Sequence, residues 1–175
     1  ALIFDVKEEE VALSQEEWGE NPNKFKVLVS YLYPWHLVKP NGLVLPRHII
    51  GFLDLSGRTN AEGLVLPQSI SDVLYFSGLT SAKGLILPQS IGGNLFLDNL
   101  TSAEGLVLPQ NIGGDLYLYS LASAEGLVLP QSIGGDLYLN GLTSAKGLIL
   151  PQSIVGNLFL DNLSLIHISE PTRHS

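Results

Sequence analysis

Gly126-Leu-Val-Leu-Pro-Gln-Ser-Ile-Gly-Gly-Asp-Leu-Tyr-Leu-Asn-Gly-Leu-Thr-Ser-Ala-Lys146 is one copy of a unit that the chain repeats. Its Gly-Leu-Val/Ile-Leu-Pro opening recurs at Gly42, Gly63, Gly84, Gly105, Gly126 and Gly147, in steps of 21 residues with no insertion or deletion. Six units fill residues 42–163, or 122 of the 175 positions. Leu79–Leu100 and Leu142–Leu163 differ only at Gly92 against Val155 and lie 63 residues apart, which points to duplication of a three-unit block. Such a period is the signature of a solenoid, in which one coil cannot close a core and stacking does.

The aliphatic columns predict the core. In the unit above they are Leu127, Leu129, Ile133, Leu137 and Leu139, spaced two, four, four and two, followed by Leu142. That spacing is not a helical period. It reads as two short period-2 strands per unit, Gly-Leu-x-Leu and Leu-x-Leu, joined by turns. Pro46, Pro67, Pro88, Pro109, Pro130 and Pro151 follow the first strand, and lacking an amide donor they should end its pairing. Gly92-Gly93, Gly113-Gly114 and Gly134-Gly135 sit between the strands, where a sharp turn is expected. Coils should then stack at about 4.8 Å.

The run Ile112-x-x-x-Leu116-x-Leu118-x-x-Leu121 resembles a bacterial leucine-rich repeat. The Leu-Pro-x-x-Ile segment is similar to the short variants of bacterial surface antigens and effectors. The resemblance covers residues 42–163. It departs where the family's strand-end asparagine is replaced by Leu100, Leu121 and Leu142, and its unit is shorter than the surface-antigen type. A second resemblance lies in Gly-Asn/Asp-Leu-Phe/Tyr-Leu, which looks like one face of a pentapeptide-repeat β-helix; the coil there is a residue shorter, and the prolines count against it. Both resemblances imply an all-β, right-handed solenoid, here of six 21-residue coils with a small N-terminal cap.

The ends are different material. Ser14-Gln15-Glu16-Glu17 matches a capping box and predicts a short helix near residues 15–20, stopped at Pro22. Leu28, Leu32 and Leu37 fall 21 residues before Ile49, Leu53 and Arg58, so residues 22–41 read as a degenerate coil. Residues 1–41 as a whole read as the cap, with Trp18 and Trp35 as its packing. The run Leu163–Arg173 resembles a translated sequencing adapter at the end of a truncated metagenomic contig. Residues 164–175 are therefore expected to be a non-native or disordered tail, with more coils or a true cap in the natural protein.

Composition bounds the function. Cys is absent, which removes a disulfide scaffold, a Cys-bound zinc site and a cysteine nucleophile. Net charge is −8, of which the repeat block contributes −5 (9 acidic, 4 basic) and residues 1–41 contribute −3. That balance argues against direct binding to nucleic acid or an anionic membrane. No run approaches the roughly 20 apolar residues of a spanning helix. No signal peptide opens the chain, which favours a cytoplasmic location. It begins at Ala1, so an exported origin stays open.

Chemistry is sparse. His36, His48, His167 and His174 have no ligand spacing, and no nucleophile elbow, P-loop or zincin motif occurs. No metal or cofactor is expected. Asn94, Asp115, Asp136 and Asn157 form one column, read as turn capping rather than acid–base machinery. Glu62, Lys83, Glu104, Glu125 and Lys146 read as a solvated edge.

The strongest functional signal is the residue between the two strand leucines: Asp54, then Tyr75, Phe96, Tyr117, Tyr138 and Phe159. If the leucines point inward, alternation turns these rings outward. Val44, Val65, Ile86, Val107, Val128 and Ile149 are the counterpart on the first strand. Two exposed apolar ladders would form an association patch; stacking for stability alone is the competing explanation. The expectation is a non-enzymatic protein-binding repeat using Tyr75, Phe96, Tyr117, Tyr138 and Phe159, with self-association through this face or the solenoid edge also open. The alternative is an acidic inhibitor, of phage or anti-defence type, occupying the nucleic-acid cleft of a host enzyme.

Overall fold

The structure, a computed structural model, describes residues 31–32, 43–45 and 47–163. The expected helix at 15–20, Trp18, Trp35 and the tail 164–175 lie outside the described residues. Within them the chain is a parallel β-solenoid of about five full coils with a repeat of about 21 residues, and no helix occurs among the described residues.

Two strands of each coil stack. Leu-x-Leu supplies β4 (Phe52–Asp54), β7 (Leu74–Tyr75), β9 (Leu95–Phe96), β11 (Leu116–Tyr117), β13 (Leu137–Tyr138) and β15 (Leu158–Phe159). These pair in parallel in chain order, with β1 (Tyr31–Leu32) ahead of them. Leu32 pairs with Leu53, so the register reaches back into the degenerate coil. The second sheet is built from β3 (His48–Ile49), β6 (Ser69–Ile70), β8 (Ser90–Ile91), β10 (Asn111–Ile112), β12 (Ser132–Ile133) and β14 (Ser153–Ile154).

That second sheet corrects the two-strand expectation. The Gly-Leu-x-Leu segment pairs as strand only at β2 (Leu43–Val44) and β5 (Leu64–Val65). In later coils it has no strand pairing, and the Ser-Ile segment takes the role. One inward isoleucine carries too little alternation to be read as a strand from sequence.

The core follows the columns. Leu53, Leu74, Leu95, Leu116 and Leu137 are fully enclosed, as are Leu79, Leu100, Leu121 and Leu142. Ala61, Ala82, Ala103 and Ala124 form a further buried column. Each alanine carbonyl accepts from the leucine amide three residues on, as in Leu106 N–H to Ala103 (3.0 Å). The intervening glycine has positive φ (Gly105, 76°), the conformation a type II turn demands at its third residue. A second turn leaves the ring-bearing strand, with the Leu100 amide donating to Leu97 (3.1 Å).

The Gly-Gly pairs bend the chain between its two strands, as expected of them, and serve a second purpose as well. Their φ values are not positive; they are sites of close approach between coils. A Cβ on Gly134 would lie 2.1 Å from the Gly113 carbonyl oxygen, and one on Gly135 would lie 2.0 Å from Asp115 Oδ1. The first glycine admits the previous coil's backbone and the second admits its carboxylate.

Candidate functional site

Three columns stand on the outer face of the ring-bearing sheet, because residues two apart in a strand share a face. The ring column is central. The residue before each strand's leucine gives Asn94, Asp115, Asp136 and Asn157. The third residue after each leucine gives Ser77, Asp98, Tyr119, Asn140 and Asp161.

The rings stack face to face. Centroids lie 4.8 Å apart for Tyr75–Phe96, 4.2 Å for Phe96–Tyr117, 4.6 Å for Tyr117–Tyr138 and 4.5 Å for Tyr138–Phe159. Interplanar angles run from 2° to 15°. Tyr119 leans on Tyr117 and Tyr138 at 5.7 and 5.3 Å. All five rings are half-buried, although the inward residues beside them are enclosed in every coil but the last, where Leu158 and Leu160 are half-buried too. Alternation therefore turns the expected residues outward, and stacking then covers their faces and leaves their edges to solvent. A platform for flat ligands such as sugars would need those faces free.

The Asn/Asp column links coils, which overturns the turn-capping expectation. The Asp115 amide donates to Asn94 Oδ1 (2.8 Å), the Asp136 amide to Asp115 Oδ1 (2.7 Å) and the Asn157 amide to Asp136 Oδ1 (2.6 Å). The remaining oxygens hold the rings: Tyr117 Oη donates to Asp115 Oδ2 (2.8 Å) and Tyr138 Oη to Asp136 Oδ2 (3.0 Å). A short polar side chain repeating one position before the strand was the available signal.

These contacts set the electrostatics. The Asn157 amide, helped by Tyr138 and against some desolvation, holds the Asp136 carboxyl below its ordinary value. Desolvation first, then the Asp115 bond and charge, pushes the Tyr117 phenol well above its usual range. Tyr138 moves the same way, by desolvation and then Asp136. On the opposite flank Ser77 Oγ donates to Asp98 (2.5 Å) and Asn140 donates to Asp161.

The second apolar ladder is the more exposed one. Val65 is 61% exposed, Ile86 81%, Val107 71%, Val128 74% and Ile149 77%. It does not continue the ring face: the Ser-Ile strand separates the two segments in one chain direction, and the turn-rich return, Asp98–Gly105 for instance, in the other. The single patch expected of both ladders is thus divided between separate segments of the coil.

A shallow groove of about 730 Å³ follows the Ser-Ile sheet, lined by Ser69, Ser90, Ser132 and the bare backbone at Gly92, Gly113 and Gly134. Those glycines lack room for a Cβ, so close coil packing accounts for the groove. Among the described residues no group of three acidic or histidine side chains converges on a metal position. Comparison with known proteins finds no family model, curated protein or solved structure that matches the chain.

Proposed function

We propose that this chain is a non-enzymatic protein-binding repeat whose partner docks on the strand face carrying Tyr75, Phe96, Tyr117, Tyr138 and Phe159. The observation that carries this reading is the unbroken stack of five rings, standing on leucines that are enclosed from Leu74 to Leu139 and tied at Tyr117 and Tyr138 to the carboxylates beside them. Tyr and Phe offer large contact area with few rotatable bonds. Here those bonds are already immobilised, so docking loses little side-chain entropy. The columns repeat like groups coil after coil, which suits a recognition surface better than a catalytic centre of unlike residues. The finer assignment belongs to the same proposal: a right-handed solenoid of leucine-rich-repeat type, favoured over the pentapeptide type by the 21-residue coil and its proline.

The test is Tyr117→Ala combined with Tyr138→Ala. Partner capture or self-association, followed by pull-down and sedimentation, is expected to weaken at least tenfold while far-ultraviolet circular dichroism keeps its β signature. Undiminished association in a folded double variant removes the face from consideration.

A further inference from the structure

The ring stack is flanked by carboxylates on both sides. Asp115 and Asp136 stand in the column before it, Asp98 and Asp161 in the column after it, and Asp54 heads the ring column itself. None of these three columns carries a Lys or Arg from Leu53 to Leu163; Arg58, Lys83 and Lys146 belong to the turn-rich return. The face is therefore an apolar stripe between two rows of negative charge, on a protein whose net charge is already −8.

Resting on the reading above, we infer that the partner of this face is a basic, extended protein segment whose arginine side chains lie across the ring edges and reach the carboxylates on either side. Arginine fits each part of the surface. Its aliphatic stem covers apolar edges while its head stays polar. At Asp98 and Asp161 its planar fork can pair with a carboxylate through two parallel bonds, which the rounder lysine head cannot do, while Asp115 and Asp136 each keep one acceptor site for a single bond. The rings alone would not attract a cation, because stacking hides their negative faces and presents edges of opposite polarity. Charge recognition must come from the aspartates. Asp115 already accepts from Asn94 Nδ2, the Asp136 amide and Tyr117, and Asp136 from Asn157 and Tyr138. These bonds fix both carboxylates in place. Asp98 and Asp161 carry one neutral donor each, from Ser77 and Asn140.

The fold supplies a clean probe of this idea. Asparagine already stands in both flanking columns: Asn94 accepts the next coil's amide as Asp115 and Asp136 do, and Asn157 and Asn140 donate to Asp136 and Asp161. Asp98→Asn, Asp115→Asn, Asp136→Asn and Asp161→Asn together remove four charges from the face; at 115 and 136 the amide oxygen still accepts from the next coil, whereas the new Nδ2 cannot accept from the Tyr117 and Tyr138 hydroxyls and must donate to them instead. The full chain is titrated against fluorescein-labelled eight-residue peptides of alternating Arg-Val, Lys-Val and Glu-Val, read by anisotropy at low and high salt. The expected result is binding of the Arg-Val peptide, weaker binding of Lys-Val and none of Glu-Val. Affinity should fall at least tenfold with high salt and at least tenfold in the four-asparagine variant.

Equal affinity of that variant for Arg-Val overturns the inference, as does equal binding of Glu-Val or no binding of any peptide. The Tyr117→Ala, Tyr138→Ala variant separates the two levels. If it loses Arg-Val binding while the asparagine variant keeps it, the aromatic reading stands and the basic partner is withdrawn. If it binds Arg-Val as the parent does, the aromatic reading fails and takes this inference with it.

Discussion

Glycine does two jobs in this repeat, and they should differ in tolerance. Gly126 sits at φ 76° with open space where a Cβ would go, so Gly126→Ala meets only the left-handed penalty of about 1–2 kcal/mol. Gly134→Ala drives a Cβ onto the Gly113 carbonyl oxygen and must push two coils apart. Urea midpoints should fall further for Gly134→Ala; the reverse order would contradict the packing described. The tyrosine–aspartate pairs predict the pH response. The Tyr117 and Tyr138 phenols are raised in the fold, so their stabilisation is complete below the unfolded value of about 10 and declines as pH rises through the folded one. Tyr117→Phe with Tyr138→Phe should flatten that alkaline loss. Asp136 is depressed, so its contribution holds above the unfolded carboxylate value of about 4 and vanishes as pH falls through the folded one. Asp136→Asn should blunt the acid loss, as read by urea unfolding across pH.

A two-residue strand has no stability of its own; the inner ones here exist because they are paired above and below, and those at the ends of each sheet are paired on one side. Leu116 in β11 has a coil on either side and is fully enclosed, whereas Leu158 in β15 is only half-buried. Leu116→Ala should cost about 2–5 kcal/mol, the range for an enclosed leucine whose cavity cannot collapse. Leu158→Ala should cost less than half of that, because solvent already reaches the site. Equal costs in denaturant unfolding would mean that the last coil is covered as well as the inner ones. The strands themselves were only partly legible in sequence. Leu-Tyr-Leu shows alternation on two inward leucines and was readable. Ser-Ile has one inward residue, and its pairing follows from the neighbouring coil.

The solenoid as a whole tolerates change only in whole periods. Excising residues 105–125 removes one 21-residue unit and brings β9 against β13 in unchanged register. That variant should keep its β signature and unfold cooperatively at a modestly lower urea midpoint, since one coil interface is lost. Excising residues 105–124 shifts the following strands by one position, which turns Tyr138 inward and Leu137 outward. That variant should lose cooperative unfolding. The same regularity produces the candidate face: a column exists because every coil places its ring at one height and one azimuth.

The period, the inward leucines and the outward direction of Tyr75, Phe96, Tyr117, Tyr138 and Phe159 follow from sequence alone, because alternation along a strand and repetition between coils are properties of the covalent order. Tertiary structure alone decides that the rings cover one another's faces and that Asp115 and Asp136 bind the amides of the next coil. Each depends on which atoms face each other across the gap between coils, and that gap is crossed by residues 21 positions apart. No local pattern encodes it.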